Sequence, residues 1–119
     1  QYADLAEKYL ADYDYDTGTV VMIGGSAEVT ACVAHSRAIG VVSANPAYMM
    51  NSELEGGTYI ALKGRVPVKV NGVVRKGAKL IADNNGCAKV APYDAVDYFG
   101  IALESSEETG VKYIEAVIL

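Results

Sequence analysis

Tryptophan is absent from this 119-residue chain, and phenylalanine and histidine occur once each. A single histidine makes a zinc site a poor expectation and leaves His35 alone in the polar loop "AHSRA", where a solvated side chain is the expected reading. Cysteine is scarce too. Cys32 and Cys87 lack metal-site spacing and read as small residues half-buried in strands. Whether they pair is left open, since sequence does not give the distance between their Cα atoms. No apolar run reaches the ~18 residues a bilayer-spanning helix needs, which argues against membrane insertion. No basic start followed by an apolar middle marks a signal peptide. There is no Gly-x-Ser-x-Gly elbow, no phosphate-cradling loop and no HExxH, so no cofactor or metal is expected. The chain begins at Gln1 and is expected to be an excerpt or processed piece of something longer.

What is present is 51% hydrophobic residues, nine tyrosines, twelve glycines and a net charge of −5. That composition suits one globular domain, residues 1–119, and a pI near 4.7 argues against nucleic acid as a partner. Short apolar runs separated by turn residues follow one another: "TVVMI", "AEVTACV", "AIGVVS", "YIALKG", "VPVKV", "AKLIA", "CAKVA", "FGIALE" and "VKYIEAVIL". About nine short strands predict an all-β fold, a small barrel or sandwich. In "AEVTACV" the alternation puts Val29, Ala31 and Val33 on one face, with Glu28, Thr30 and Cys32 on the other. Asn71-Gly72 is the strongest hairpin signal and predicts a hairpin over 64–74. Pro67, which cannot donate to a ladder, belongs where its nitrogen faces an edge or bulge. The opening "YADLAEKYL" predicts a short N-terminal helix, with Asp4 as N-cap and Glu7 three residues on. On a helical turn those two carboxylates would face the same way and could share a proton.

Five of the ten Lys and Arg residues lie between Gly64 and Leu80. Arg65, Lys69, Arg75 and Lys76 read as the wet face of a sheet, or as a basic surface for an acidic partner such as the "ADYDYD" run of a neighbouring subunit.

Two stretches look alike. In each, a Gly (Gly18, Gly77) precedes a strand, a Gly-containing turn and a second strand follow, and another Gly (Gly40, Gly100) sits inside an apolar strand. They predict a duplicated β-unit, about 16–63 and 75–119, joined by the hairpin 64–74. The second Gly of each copy marks a bend or a close approach. The segment around Pro46, Tyr48, Met49 and Met50 is too apolar for a free loop and predicts self-association, together with Tyr9, Tyr13 and Tyr15. Tyr2, Tyr9, Tyr13, Tyr15 and Tyr48 could alternatively stack on host-surface sugars.

"YADLAEKYLADYDYDTGTVVMIGG", "AIGVVSANPAYMMNS" and "ALKGRVPVKVNGVVRKGAKLIADNNGCA" resemble the C-terminal domain of tailed-phage fibre, spike and preneck-appendage proteins. The specific parts are Asp4 to Glu7, Gly40 to Pro46 and Gly64 to Val68. The resemblance implies a homo-oligomer, trimeric as in those fibres, contacts with other virion proteins, and a virion location after assembly in the host cytoplasm. It also implies an intramolecular chaperone for a long β-rich fibre. In relatives that cleave themselves before the acidic motif, Asp4 and Glu7 match the acidic residues implied in cleavage, but Ala3 stands where those relatives carry Ser. The second half, through "FGIALE" and "YIEAVIL", is also similar to phage capsid cement (decoration) proteins, which implies a structural role at a different place on the virion.

Overall fold

The computed structural model describes residues 3–119; Gln1 and Tyr2 lie outside the described residues. The fold is all-β. Ten strands run in chain order: β1 (Ala3–Tyr9), β2 (Val20–Ile23), β3 (Val29–Ala31), β4 (Gly40–Val42), β5 (Tyr48–Met50), β6 (Thr58–Asn71), β7 (Lys79–Ala82), β8 (Ala88–Val90), β9 (Gly100–Ala102) and β10 (Val111–Ile118). A 3-10 turn, Asn84–Gly86, joins β7 to β8, with Asn85 and Gly86 both at positive φ.

The N-terminal helix expected from the sequence is instead the strand β1. Buried Asp4 and Ala6 alternate with half-buried Leu5 and Glu7, a period of two. A helix this short is marginal in water. As a strand the segment gains two ladders, antiparallel to β6 and parallel to β5. Asp4 and Glu7 therefore point to opposite faces, and the carboxylate pair that a helical turn would have formed does not exist.

The second correction concerns 64–74. It is not a hairpin. Gly64 to Asn71 continues the strand begun at Thr58, and its antiparallel partner is β10, with Val66 opposite Ala116 and Val70 opposite Lys112. Of the remaining residues up to 74, Val74 pairs in an isolated bridge to Ser106. The turn signal at Asn71-Gly72 is outcompeted because β10 offers eight paired residues. Pro67 fits this arrangement. The neighbouring N–H of the same parity, Lys69, donates away from β10 to the carbonyl of Gly18 at 2.9 Å. Pro67 thus lacks its N–H on the side where no ladder runs.

The 14 residues of β6 are a wall common to two rings. Its second half, with β10, β9, β7 and β8, closes a five-stranded barrel through the parallel pair Val70–Ala88. Its first half joins β1, β4, β2 and β3, and a parallel bridge from Ala11 to Val29 completes that ring. The ladders match position by position. Val21 opposite Ala31 corresponds to Leu80 opposite Val90, 59 residues on; the bridge Ala11–Val29 corresponds to Val70–Ala88 by the same offset. Loop bonds follow suit: Gly18 N–H to Val42 O at 2.9 Å is matched by Gly77 N–H to Ala102 O at 2.8 Å, and Ile39 N–H to Val21 O by Phe99 N–H to Leu80 O. In this alignment β1 is the counterpart of the second half of β6. Each unit therefore includes a first strand, where the sequence predicts a helix in one copy and a connecting hairpin in the other.

Each ring has its own filling. Val21, Val29, Val42 and Ile60 form one cluster, with Tyr9, Tyr15, Ile39 and Leu62 packed against it. Their counterparts Leu80, Ala88, Ala102 and Ala116 belong to the larger cluster, with Val66, Val68, Val70, Val74 and Ile114. Val20, Cys32, Val41 and Ala61 join that larger cluster too, so the outside of the first ring packs against the second unit. Cys32 is buried and Val33 is 49% exposed, the reverse of the expected alternation, because β3 ends at Ala31 and the parity ends with it.

Gly40 and Gly100 sit at matched tight points. A Cβ on Gly40 would lie 2.3 Å from the Ala61 carbonyl oxygen, and one on Gly100 2.9 Å from that of Val117. At both positions the close approach is made by the backbone of the neighbouring paired strand.

Candidate interaction surface

β5 follows Asn45-Pro46 and pairs on one side only. Leu5, Ala6 and Glu7 of β1 face Tyr48, Met49 and Met50 in parallel register, and Ala47 N–H donates to Asp4 O at 3.0 Å. Among the described residues, the other edge of β5 has no ladder partner. The three side chains are exposed by 73%, 53% and 40% respectively. A short, apolar strand edge of this kind offers unpaired backbone groups and an adhesive side-chain set at one place. Met adds a side chain that adapts to irregular partner surfaces.

The edge is held firmly from behind. Lys8 Nζ donates to the carbonyls of Ser52 and Leu54, each at 2.9 Å, and Asn51 Nδ2 donates to Lys8 O at 3.1 Å. The loop after β5 is thereby tied to β1. Beside it, buried Asp4 accepts the Ser43 hydroxyl through Oδ2 at 2.7 Å, while its Oδ1 has no partner among the described residues. Glu7 accepts the Tyr9 hydroxyl at 3.2 Å. Burial, with the Glu7 charge, raises the Tyr9 phenol above its usual range.

The tyrosine run divides. Tyr9 and Tyr15 pack against the chain's own first-ring core, and Tyr13 is 71% exposed. The Tyr15 hydroxyl donates to Asp12 at 2.5 Å and lies 3.2 Å from Thr30 Oγ1, which in turn donates to Asp12 Oδ2 at 2.9 Å. These hydrogen bonds hold the Asp12 carboxyl below the ordinary carboxylate range.

The basic stretch is largely met within its own chain. Arg65 reaches Glu115 at 2.8 Å and Arg75 reaches Glu107 at 2.6 Å. Lys69 reaches Asp16 at 3.5 Å, so an acid of the "ADYDYD" run does face it, from the same molecule. Lys76 is exposed. Lys79 donates to the carbonyls of Tyr93 and Ala95 and lies 5.0 Å from the centre of the Tyr98 ring. Exposed pairs of this sort contribute little to stability.

His35 lines a cleft of about 550 Å³, with Arg37, Leu62, Asp97 and Phe99. Its neighbour Ser36 turns its hydroxyl to Val33 O at 2.6 Å. The cleft brings no nucleophile–base hydrogen bond together among the described residues. Within those residues no group of three or more His, Cys, Asp or Glu is placed to hold a metal ion. Cys32 and Cys87 are free thiols; Cys32 Sγ donates to the carbonyls of Asp83 and Cys87, both at 3.2 Å. Burial pushes the Cys32 thiol up to about 11 and raises Cys87 in the same direction.

No protein-family model matches the sequence, and no curated protein matches it. Among solved structures, the pre-mature bacteriophage phi29 gene product 12 shares the fold, with a TM-score of 0.79 and 12% identity. The likeness covers 100% of this chain and 22% of that one. The C-terminal fragment of the same phi29 gene product 12 is similar over 98% of this chain and 100% of its own length, with a TM-score of 0.75 and 14% identity. At these identities the likeness is one of fold.

Proposed function

We propose that this chain is a structural module of a phage virion, the C-terminal assembly domain of a tail fibre or related appendage, which associates as a homotrimer. The observation that carries the reading is the exposed edge Tyr48–Met50, apolar and, among the described residues, unpaired on its outer side. The fold shared with a C-terminal fragment of a phage protein supports the virion context. Three modules of this kind, joined along β5, would hold three upstream chains in register. Linking them raises the local concentration of long-range strand pairings that are otherwise slow to form, which is the physical content of an intramolecular chaperone. Other virion proteins are the partners beyond the trimer.

The test is the oligomeric state. Light scattering on the whole chain is expected to give three times the monomer mass, and Met49→Lys with Met50→Lys to give a monomer with unchanged circular dichroism. A wild-type monomer at all accessible concentrations, or a trimer indifferent to both substitutions, overturns the reading.

A further inference from the structure

We propose that Asn71 is a site of spontaneous covalent modification, converting to aspartate and isoaspartate through a cyclic imide formed with Gly72. The chain's other Asn-Gly pair, Asn85-Gly86, is protected by the fold. In the reaction the Gly72 backbone nitrogen attacks Asn71 Cγ. A C–N bond forms, the bond from Cγ to Nδ2 breaks, and ammonia leaves with the proton that Gly72 nitrogen carried. Water then opens the imide at either carbonyl, giving aspartate or the isomer whose main chain runs through the side-chain carbon. Water is the only co-reactant. The step needs an unbranched neighbour, a backbone N–H that is weakly held, and an Asn side chain free to turn back onto it.

Asn71 meets all three needs. It is exposed, and as the last residue of β6 opposite the first residue of β10 it lies at the open end of a ladder, where strands open most readily. Gly72 N–H donates to Gly110 O at 3.3 Å, longer than an ordinary amide bond. Gly72 has φ +95°, and a Cβ built on it would meet nothing within 4 Å, so the approach to its nitrogen is uncrowded. The Asn71 side chain has one partner, Asp83 Oδ2 at 3.5 Å, at the outer limit of a hydrogen bond. Asn85-Gly86 differs at the reacting nitrogen. Gly86 is buried, its N–H donates to Cys32 O at 3.0 Å, and a Cβ on it would lie 2.6 Å from Thr19 Cγ2.

The change bears on the second barrel. Val70, beside Asn71, forms the parallel pair with Ala88 that closes it, and Asp83 opens the turn leading to β8. Conversion replaces the amide donor facing Asp83 with a second carboxylate, and facing like charges are destabilising. Asn71 is therefore a point at which ageing loosens the seam of one barrel. The inference does not depend on the assembly reading, since β5 takes no part in it.

The experiment is incubation of the whole chain at mildly alkaline pH, followed by peptide mapping with mass detection and an isoaspartate-specific methyltransferase assay. The peptide holding Asn71 is expected to gain ~1 Da and to become a methyl acceptor. In the folded chain Asn71 is expected to convert at least about tenfold faster than Asn85, which must wait for a local opening. In guanidinium chloride the two rates are expected to converge to within a few-fold. Asn71→Asp is expected to lower the urea midpoint, and that loss to vanish in an Asp83→Asn background. The proposal is overturned if Asn71 keeps its amide while the unfolded chain converts, or if Asn85 keeps pace with Asn71 in the folded chain. An Asn71→Asp midpoint equal to wild type, or an equal loss in both backgrounds, overturns the effect on the seam.

Discussion

The backbone of Ala61 occupies the space that a side chain at Gly40 would need: its carbonyl oxygen stands 2.3 Å from the position of a Cβ there. The matched contact, Gly100 with Val117 O, is looser at 2.9 Å. Backbone cannot swing aside as a flexible side chain can. Gly40→Ala is therefore expected to lower stability by about 3 kcal/mol, and Gly100→Ala by about 1–2 kcal/mol. Urea midpoints of the two variants give the comparison; equal losses would mean that the first ring yields as easily as the second.

Ser43 is the sole side-chain hydrogen-bond partner of buried Asp4 among the described residues. Ser43→Ala leaves that carboxylate without it and is expected to cost about 1–3 kcal/mol. Asp4→Asn keeps the shape and an acceptor for Ser43, so its loss should be smaller. A neutral Ser43→Ala in urea denaturation would show that water already reaches Asp4.

The two thiols give a pH dependence whose sign follows from their shifts. Both are raised by burial, Cys32 from 9.0 to about 11, so the folded state favours the protonated form. Their contribution is fully present below pH ~9 and is lost as pH rises toward ~11. Stability measured across pH 8 to 11 is expected to fall less steeply in Cys32→Ala than in wild type. At pH 8 Ellman's reagent should label Cys32 only as fast as the protein opens.

Lys8 is expected to control the loop behind β5. Its bonds to Ser52 and Leu54 hold carbonyls that would otherwise face solvent. Lys8→Met should change the global urea midpoint little, since the pairing is partly exposed. Cleavage by a glutamate-specific protease at Glu53 and Glu55 should become several-fold faster. An unchanged cleavage rate would assign the loop's order to Asn51 alone.

The strands of the fold were legible wherever alternation and turn chemistry agreed, as at "AKLIA" followed by Asn84-Asn85-Gly86 or at "VKYIEAVIL". Period-two burial in β1 was hidden because Leu5, Tyr9 and Leu10 also satisfy a helical spacing, and the ladders that decide the matter lie some forty to sixty residues away. Asn71-Gly72 misled for a related reason. A turn signal reports local preference, whereas the partner of Val66 and Val68 is set by β10. The exposed apolar character of Tyr48, Met49 and Met50 could be read from composition; that they form a strand with one open edge could not.

Since β6 belongs to both rings, neither can come apart while the other stays whole. Breaking the run between Ile60 and Val66 removes a stave from two barrels at once, and each half released would carry an open seam. Two matched β-units that share one continuous strand are therefore expected to unfold together.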